Sequence, residues 1–255
     1  GMEGLTELKE CYLYGNLSFT DLSPLAGLTK LQQLQISPNG SNTNPYIEDF
    51  SPLANLTQLQ SLYLYTDGYV KDLTAFSKLT ALQSLSMQAN GLASFQGIEN
   101  LTELRELNFY GSDATYRNVA PLAGLTKLTS LRLYGNSDTA GYSSLAPLSS
   151  LTGLTDLYLN INEHVTSLAP LASLTNLRSL EIYINGDYSH PGLTDISPLG
   201  KLTNLQSLSL TERGVTDISA LANLTNLQSL EIRESGNAKI SDWSPVAHVP
   251  NLTKS

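Results

Sequence analysis

"SPLAGLTKLQQLQIS", residues 23–37, returns as "SPLANLTQLQSLYLY" (51–65), "APLAGLTKLTSLRLY" (120–134) and "SPLGKLTNLQSLSLT" (197–211). Some letters stay fixed from copy to copy while those between them vary. Internal self-similarity of this kind decides the fold, so it is read first. Take the leucine of the recurring "L-T-x-L" as position zero. It falls at Leu5, Leu28, Leu56, Leu79, Leu101, Leu125, Leu151, Leu174, Leu202 and Leu224, with a degraded copy at Val249. The intervals run from 22 residues (Leu79 to Leu101) to 28 (Leu28 to Leu56), leaving no room for a linker or a second domain.

Within a copy the apolar residues sit at positions 0, 3, 6 and 8, as in Leu28, Leu31, Leu34 and Ile36. The spacing drops from three to two at the end, which predicts a helical or turn approach followed by a short strand of alternating sides. Position 11 is often asparagine (Asn16, Asn39, Asn90, Asn136, Asn162, Asn185), as expected of a buried amide ladder serving the turn after each strand. Asp67, Ser112, Arg213 and Ser235 interrupt it, and Arg213, too large for that role, predicts a local irregularity. Ahead of each zero position comes a phrase such as "D-L-S-P-L-A-G", whose proline suits the first turn of a short helical segment.

The pattern L-x-x-L-x-L-x-x-N resembles the leucine-rich repeat, and "D-I-S-P-L" followed by "L-T-N-L" is similar to its internalin-type bacterial subclass. About ten copies carry the resemblance over nearly the whole chain. It implies an α/β right-handed solenoid, with a parallel β-sheet on the concave face and short helical or 3-10 turns on the convex face. It also implies a bacterial cell-surface or secreted, extracellular setting. Elementary energetics agree with a solenoid. Burying a leucine contributes roughly 1.5–3 kcal/mol, against roughly 1–2 kcal/mol of backbone entropy for every residue ordered. One copy cannot fold alone, and stacked neighbours supply what it lacks. The pattern breaks off at both ends, which reads as one repeat domain over residues 1–255 cut from a longer protein, and the glycine before Met2 reads as a residue left by a protease.

Composition narrows the partners. The net charge is −9, from 14 basic and 23 acidic residues, so the electrostatic attraction that draws proteins to nucleic acid or anionic membranes is missing. No apolar run is long enough to cross a bilayer, so membrane insertion is not expected. Cys11 is the single cysteine and takes a core position, reading as a small buried apolar residue. His164, His190 and His248 fall in different copies without ligand spacing. No nucleophile motif or phosphate loop is present either, so neither an enzyme nor a cofactor is expected. The "N-L-T" sequons at Asn55, Asn100, Asn223 and Asn251, like "N-L-S" at Asn16, are by-products of the repeat phrase.

The informative variation lies at positions 5, 7 and 9, which flank the buried strand residues and point out of the concave face. Eight of the 13 tyrosines fall in columns 7 and 9: Tyr12, Tyr14, Tyr63, Tyr65, Tyr110, Tyr134, Tyr158 and Tyr183. Tyrosine and arginine are favoured at binding hot spots. The candidate ligand-binding residues are therefore Tyr63, Tyr65, Asn108, Tyr110, Arg132, Tyr134, Asp156, Tyr158, Glu181 and Tyr183, with Arg132 expected between Asp156 and Tyr134. Strand propensity and cross-strand pairing offer a ligand-free account of the same tyrosines. Longer insertions at residues 40–48, 137–143 and 186–194 leave one rim, where they either reach a partner or are tolerated surface. The expected function is non-catalytic recognition of a protein or peptide. A carbohydrate surface and an architectural spacer without a ligand are the alternatives.

Overall fold

The computed structural model describes residues 1–15, 19–38, 47–65, 70–88, 90–111, 116–135, 142–162, 164–184, 193–212, 214–234 and 239–254. The period of three in the leucines sets the local structure. Leu25 donates its backbone N–H to Leu22 O, Leu28 to Leu25 O and Leu31 to Leu28 O, each at 2.9 Å. Leu148, Leu151 and Leu154 repeat the chain of bonds on Leu145, Leu148 and Leu151. A bond to the third residue back is the 3-10 pattern, in which side chains three apart eclipse, so every one of these leucines faces the same way. The convex turns are accordingly 3-10 helices, among them Ser51–Asn55, Ala146–Ser150, Ala169–Ser173 and Ser219–Asn223. Proline opens most of them, where its missing N–H costs nothing.

Two residues before the first helical N–H stands a short polar side chain that accepts it. Asp21 Oδ1 takes Ser23 N, Asp49 takes Ser51 N, Asp195 takes Ser197 N, Asp217 takes Ser219 N and Asp242 takes Ser244 N, all at 2.8 Å. Asn118, Ser144 and Ser167 do the same in other copies. These bonds to the ionised form hold the carboxyls of Asp21, Asp49, Asp195, Asp217 and Asp242 below the usual aspartate value.

Where the leucine spacing changes to two, the chain enters a strand. The strands are β1 (Glu10–Gly15), β2 (Gln33–Pro38), β3 (Ser61–Leu64), β4 (Ser84–Gln88), β5 (Glu106–Tyr110), β6 (Ser130–Leu133), β7 (Asp156–Ile161), β8 (Ser179–Ile184), β9 (Ser207–Glu212), β10 (Ser229–Glu234) and β11 (Asn251–Lys254). They form one 11-stranded parallel sheet in sequence order. Register is uniform: Leu107, Leu131, Leu157, Leu180, Leu208 and Leu230 stand opposite one another from β5 to β10. From β1 to β9 the strand is entered through a carbonyl that accepts two N–H groups of the next copy, as Thr129 O does from Thr155 and Asp156 at 2.8 and 3.1 Å. The expected solenoid is thus observed, with 3-10 turns and no α-helix among the described residues. Among the described residues, no helix is long and apolar enough to cross a membrane.

The core is one continuous column of leucines between sheet and turns. Cys11 belongs to it, and burial raises its thiol pKa. An aromatic spine runs through its centre. Phe109 meets Phe95 edge-on at 5.2 Å, Phe95 meets Tyr116 at 4.7 Å, and Tyr116 stacks on Tyr142 at 5.8 Å. Of the expected amide ladder, Asn162 is buried and its Oδ1 accepts His164 N at 3.1 Å. Asn90 is also described, its carbonyl accepting Val70 N at 3.3 Å. Asn16, Asn39, Asn136 and Asn185, together with Asp67, Ser112, Arg213 and Ser235, lie outside the described residues.

Candidate functional site

The concave rows do not rise as straight columns. Tyr12, Tyr14, Tyr63 and Tyr65 lean toward the next strand, and one row back along it. Tyr12 Oη donates to Gln33 Oε1 (2.8 Å) and Tyr14 Oη to Gln35 Oε1 (3.1 Å). Tyr63 Oη reaches Ser84 Oγ (3.2 Å) and Tyr65 Oη reaches Ser86 Oγ (2.9 Å). A strand side chain leans along its strand, and the sheet's twist carries that lean diagonally across its neighbour. One consequence corrects the column reading. Ser84 and Ser86, at positions expected to face the groove, are buried on β4 beside the β3 tyrosines. Asn160, likewise a column-9 residue, is buried as well.

The same lean assembles the centre of the site. Tyr134, which follows β6, falls onto Tyr158 of β7, with ring centroids 3.8 Å apart and planes 27° from parallel. Tyr110 stacks on Tyr134 at 4.7 Å and 13°, and Tyr65 leans on Tyr110 at 6.4 Å. Rings this close and this nearly parallel can only lie face to face. Tyr110 and Tyr158 come from strands on opposite sides of β6, so they cover both faces of Tyr134. The ladder is therefore self-stacked. Tyr183 stands on β8 outside the ladder, 38% exposed.

Backbone at the strand ends makes this spacing possible. Gly135, directly after Tyr134, has φ +70°, and a Cβ there would sit 1.6 Å from Gly111 O. Glycine lets the two chains meet at that point, just past the rings of Tyr110 and Tyr134. Burial raises the Tyr158 phenol to about 12, helped by the charge of Glu181 and by the neighbouring Tyr134 and Tyr183. Burial also raises Tyr110, aided by Tyr134 and Tyr65 and opposed by the positive charge of Arg132. Tyr110 and Tyr158 are therefore uncharged at neutral pH.

Arg132 stands in register between Asn108 of β5 and Tyr158 of β7. Asp156, the acid expected beside it, stands one row back in register with Ser130, accepts the Thr155 hydroxyl at 2.7 Å and lines the same notch as Arg132. Arg132, Asp156, Ser179, Glu181 and the rings of Tyr134 and Tyr158 bound a notch of about 50 Å³. Tyr63 lies apart, between Tyr12 and the ladder. The site thus brings together Tyr65, Asn108, Tyr110, Arg132, Tyr134, Asp156, Tyr158 and Glu181, and leaves Tyr63 and Tyr183 at its margins.

Sequence reasoning missed the Tyr12–Tyr14 pair as a separate feature. These rings are parallel to within 4°, with centroids 6.3 Å apart, and they are 46% and 57% exposed on β1. Of the rim insertions, residues 40–46, 137–141 and 186–192 lie outside the described residues, as does His190. His248 contacts Leu224 O at 3.0 Å on the convex side. Among the described residues, no group of three histidine, cysteine, aspartate or glutamate side chains could hold a metal ion.

A family model described as leucine-rich repeats (two copies) matches residues 203–248. Internalin C2 of Listeria monocytogenes is similar at 28% identity over 79% of this chain and 83% of its own, with a TM-score of 0.64. Internalin F of the same organism is 23% identical over 99% of this chain and 88% of its own, TM-score 0.53, a likeness of fold. The leucine-rich repeat ectodomain of the Arabidopsis thaliana receptor kinase GASSHO1/SCHENGEN3 shares the fold at 17% identity over 97% of this chain and 32% of its own, TM-score 0.57. No curated protein matches by sequence at a significant level. The comparisons bear out the resemblance to internalin-type leucine-rich repeat proteins, and that fold is generally a scaffold for protein interaction.

Proposed function

We propose that this leucine-rich repeat solenoid, similar to the internalins, is a non-catalytic recognition module that binds a protein partner along its concave face. The observation that carries the reading is the ladder Tyr65–Tyr110–Tyr134–Tyr158, with Arg132 beside it. Tyrosines locked ring on ring have lost their rotamer freedom before any partner arrives, which lowers the entropic cost of binding. Their hydroxyls and the flanking polar side chains suit the peptide groups of a protein surface. A sugar that stacks needs an open aromatic face, and in Tyr134 both faces are already taken. Similarity to internalins favours a cell-surface or secreted bacterial setting for the module.

Replacing Tyr110, Tyr134 and Tyr158 together with serine tests the reading. The variant is expected to keep its circular dichroism spectrum while capture of a protein partner in pull-downs from extracellular extracts falls by at least about tenfold. Undiminished capture would remove the concave face as the binding surface. Binding on a glycan array with no protein captured would favour the carbohydrate reading, and absence of any saturable ligand would favour a spacer.

A further inference from the structure

Around the ladder the concave face is rich in acceptors and short of donors. Asn108 Oδ1 is shielded from solvent and has no hydrogen-bond partner, although Arg132 stands directly across from it. Glu106, Asp156 and Glu181 project from β5, β7 and β8 into the same rows. The side-chain ion pairs among described residues lie elsewhere, at Lys30–Glu7, Lys127–Glu103 and Arg233–Glu231. Arg132 is the one basic side chain in the concave rows of these rungs, so three carboxylates face a single guanidinium. The whole chain, with 23 acidic against 14 basic residues, adds a field of the same sign.

We propose that the concave site takes an extended basic protein segment, a lysine or arginine of which enters the notch beside Asp156 and Glu181. The inference rests on the reading of this face as protein-binding and gives the partner its charge. A site needs only about 10–15 Å³ of such space to hold a water, so the notch of about 50 Å³ has room for a compact cationic head. There its donors meet two carboxylates and the Ser179 hydroxyl. Arg132 acts by repulsion, turning the incoming cation away from β6 and toward β7 and β8, which fixes the register of the segment on the ladder.

The test selects peptides from a phage-displayed random library on the intact chain and measures the winners against Asp156→Asn/Glu181→Gln and Arg132→Gln. Selected peptides are expected to share a lysine or arginine. Their binding is expected to weaken at least about tenfold on the double variant, to weaken as sodium chloride is raised, and to hold or tighten on Arg132→Gln. Acidic peptides that need Arg132 would overturn the proposal, as would peptides indifferent to Asp156 and Glu181. If winners lack basic residues yet depend on Tyr134, the charge assignment falls and recognition by the concave face stands. If no peptide is selected while a glycan binds, both fall.

Discussion

The two tyrosines of the core show how much one hydroxyl's surroundings decide. Tyr142 Oη donates to the Asn160 carbonyl at 3.1 Å, whereas Tyr116 Oη is buried without a hydrogen-bond partner. Burial raises both phenols far above their ordinary value, Tyr142 with a further push from Tyr116, so both stay neutral. Tyr142→Phe is therefore expected to cost about 1 kcal/mol of unfolding free energy, while Tyr116→Phe is expected to be neutral or stabilising. Urea unfolding of the two variants checks the contrast, and equal losses would contradict it. Nothing in the sequence separates these residues from the eight tyrosines of the concave rows except their place in the repeat. They precede a "x-x-V-A-P-L" or "x-x-L-A-P-L" phrase, where other copies carry Val70, Val165 or Val215. An aromatic ring there can only be core.

At the scale of the element, the convex turn depends on its polar lead residue more than on helix propensity. Three to five residues of 3-10 helix hold too few hydrogen bonds to persist alone. The aspartate that accepts the first free N–H fixes where each turn begins. Asp21, Asp49, Asp195, Asp217 and Asp242 have lowered pKa values in the fold because the ionised carboxyl is the one bonded to Ser23, Ser51, Ser197, Ser219 and Ser244. Their contribution is fully present above the ordinary value of 3.8 and is lost as pH falls from there through the lowered folded values. A chain carrying Asp195→Asn, Asp217→Asn and Asp242→Asn keeps an acceptor without the titration. Its melting temperature is expected to fall less between pH 5 and pH 2 than that of the parent, and parallel profiles would refute the assignment. The sequence displayed this "D-x-S" phrase plainly. Its proline and apolar residues were legible, but the bond from the aspartate depends on a backbone turn that only coordinates display.

For the whole molecule, stability is that of a stack in which each rung touches only its neighbours. Leu131 is fully buried on β6, between Leu107 and Leu157, while Leu252 of β11 packs on one neighbour, Leu230, and is half-buried. Leu131→Ala is expected to cost about 2–5 kcal/mol and Leu252→Ala clearly less. Hydrogen exchange should place the loss of protection for Leu131→Ala in β5, β6 and β7 rather than throughout. A uniform loss would show that the rungs unfold as one unit. Ion pairs between successive copies, Lys30–Glu7 and Lys127–Glu103 at 2.6 Å, are exposed and add little to this order.

The sequence by itself determined the solenoid, its register and the identity of the buried residues, because leucines spaced by three and then by two admit one way of turning and pairing. It also singled out the tyrosines of the concave rows. What it could not supply was how those rows meet. The tertiary structure decided that Tyr134 leans one row back and lands on Tyr158 of the next strand rather than beside Asn160. It also decided that Arg132, Asp156 and Glu181 bound one notch with the rings of Tyr134 and Tyr158. The reason is geometric. Position in a repeat tells which face a side chain takes, whereas twist and lean, which belong to the assembled sheet, decide which neighbour it touches.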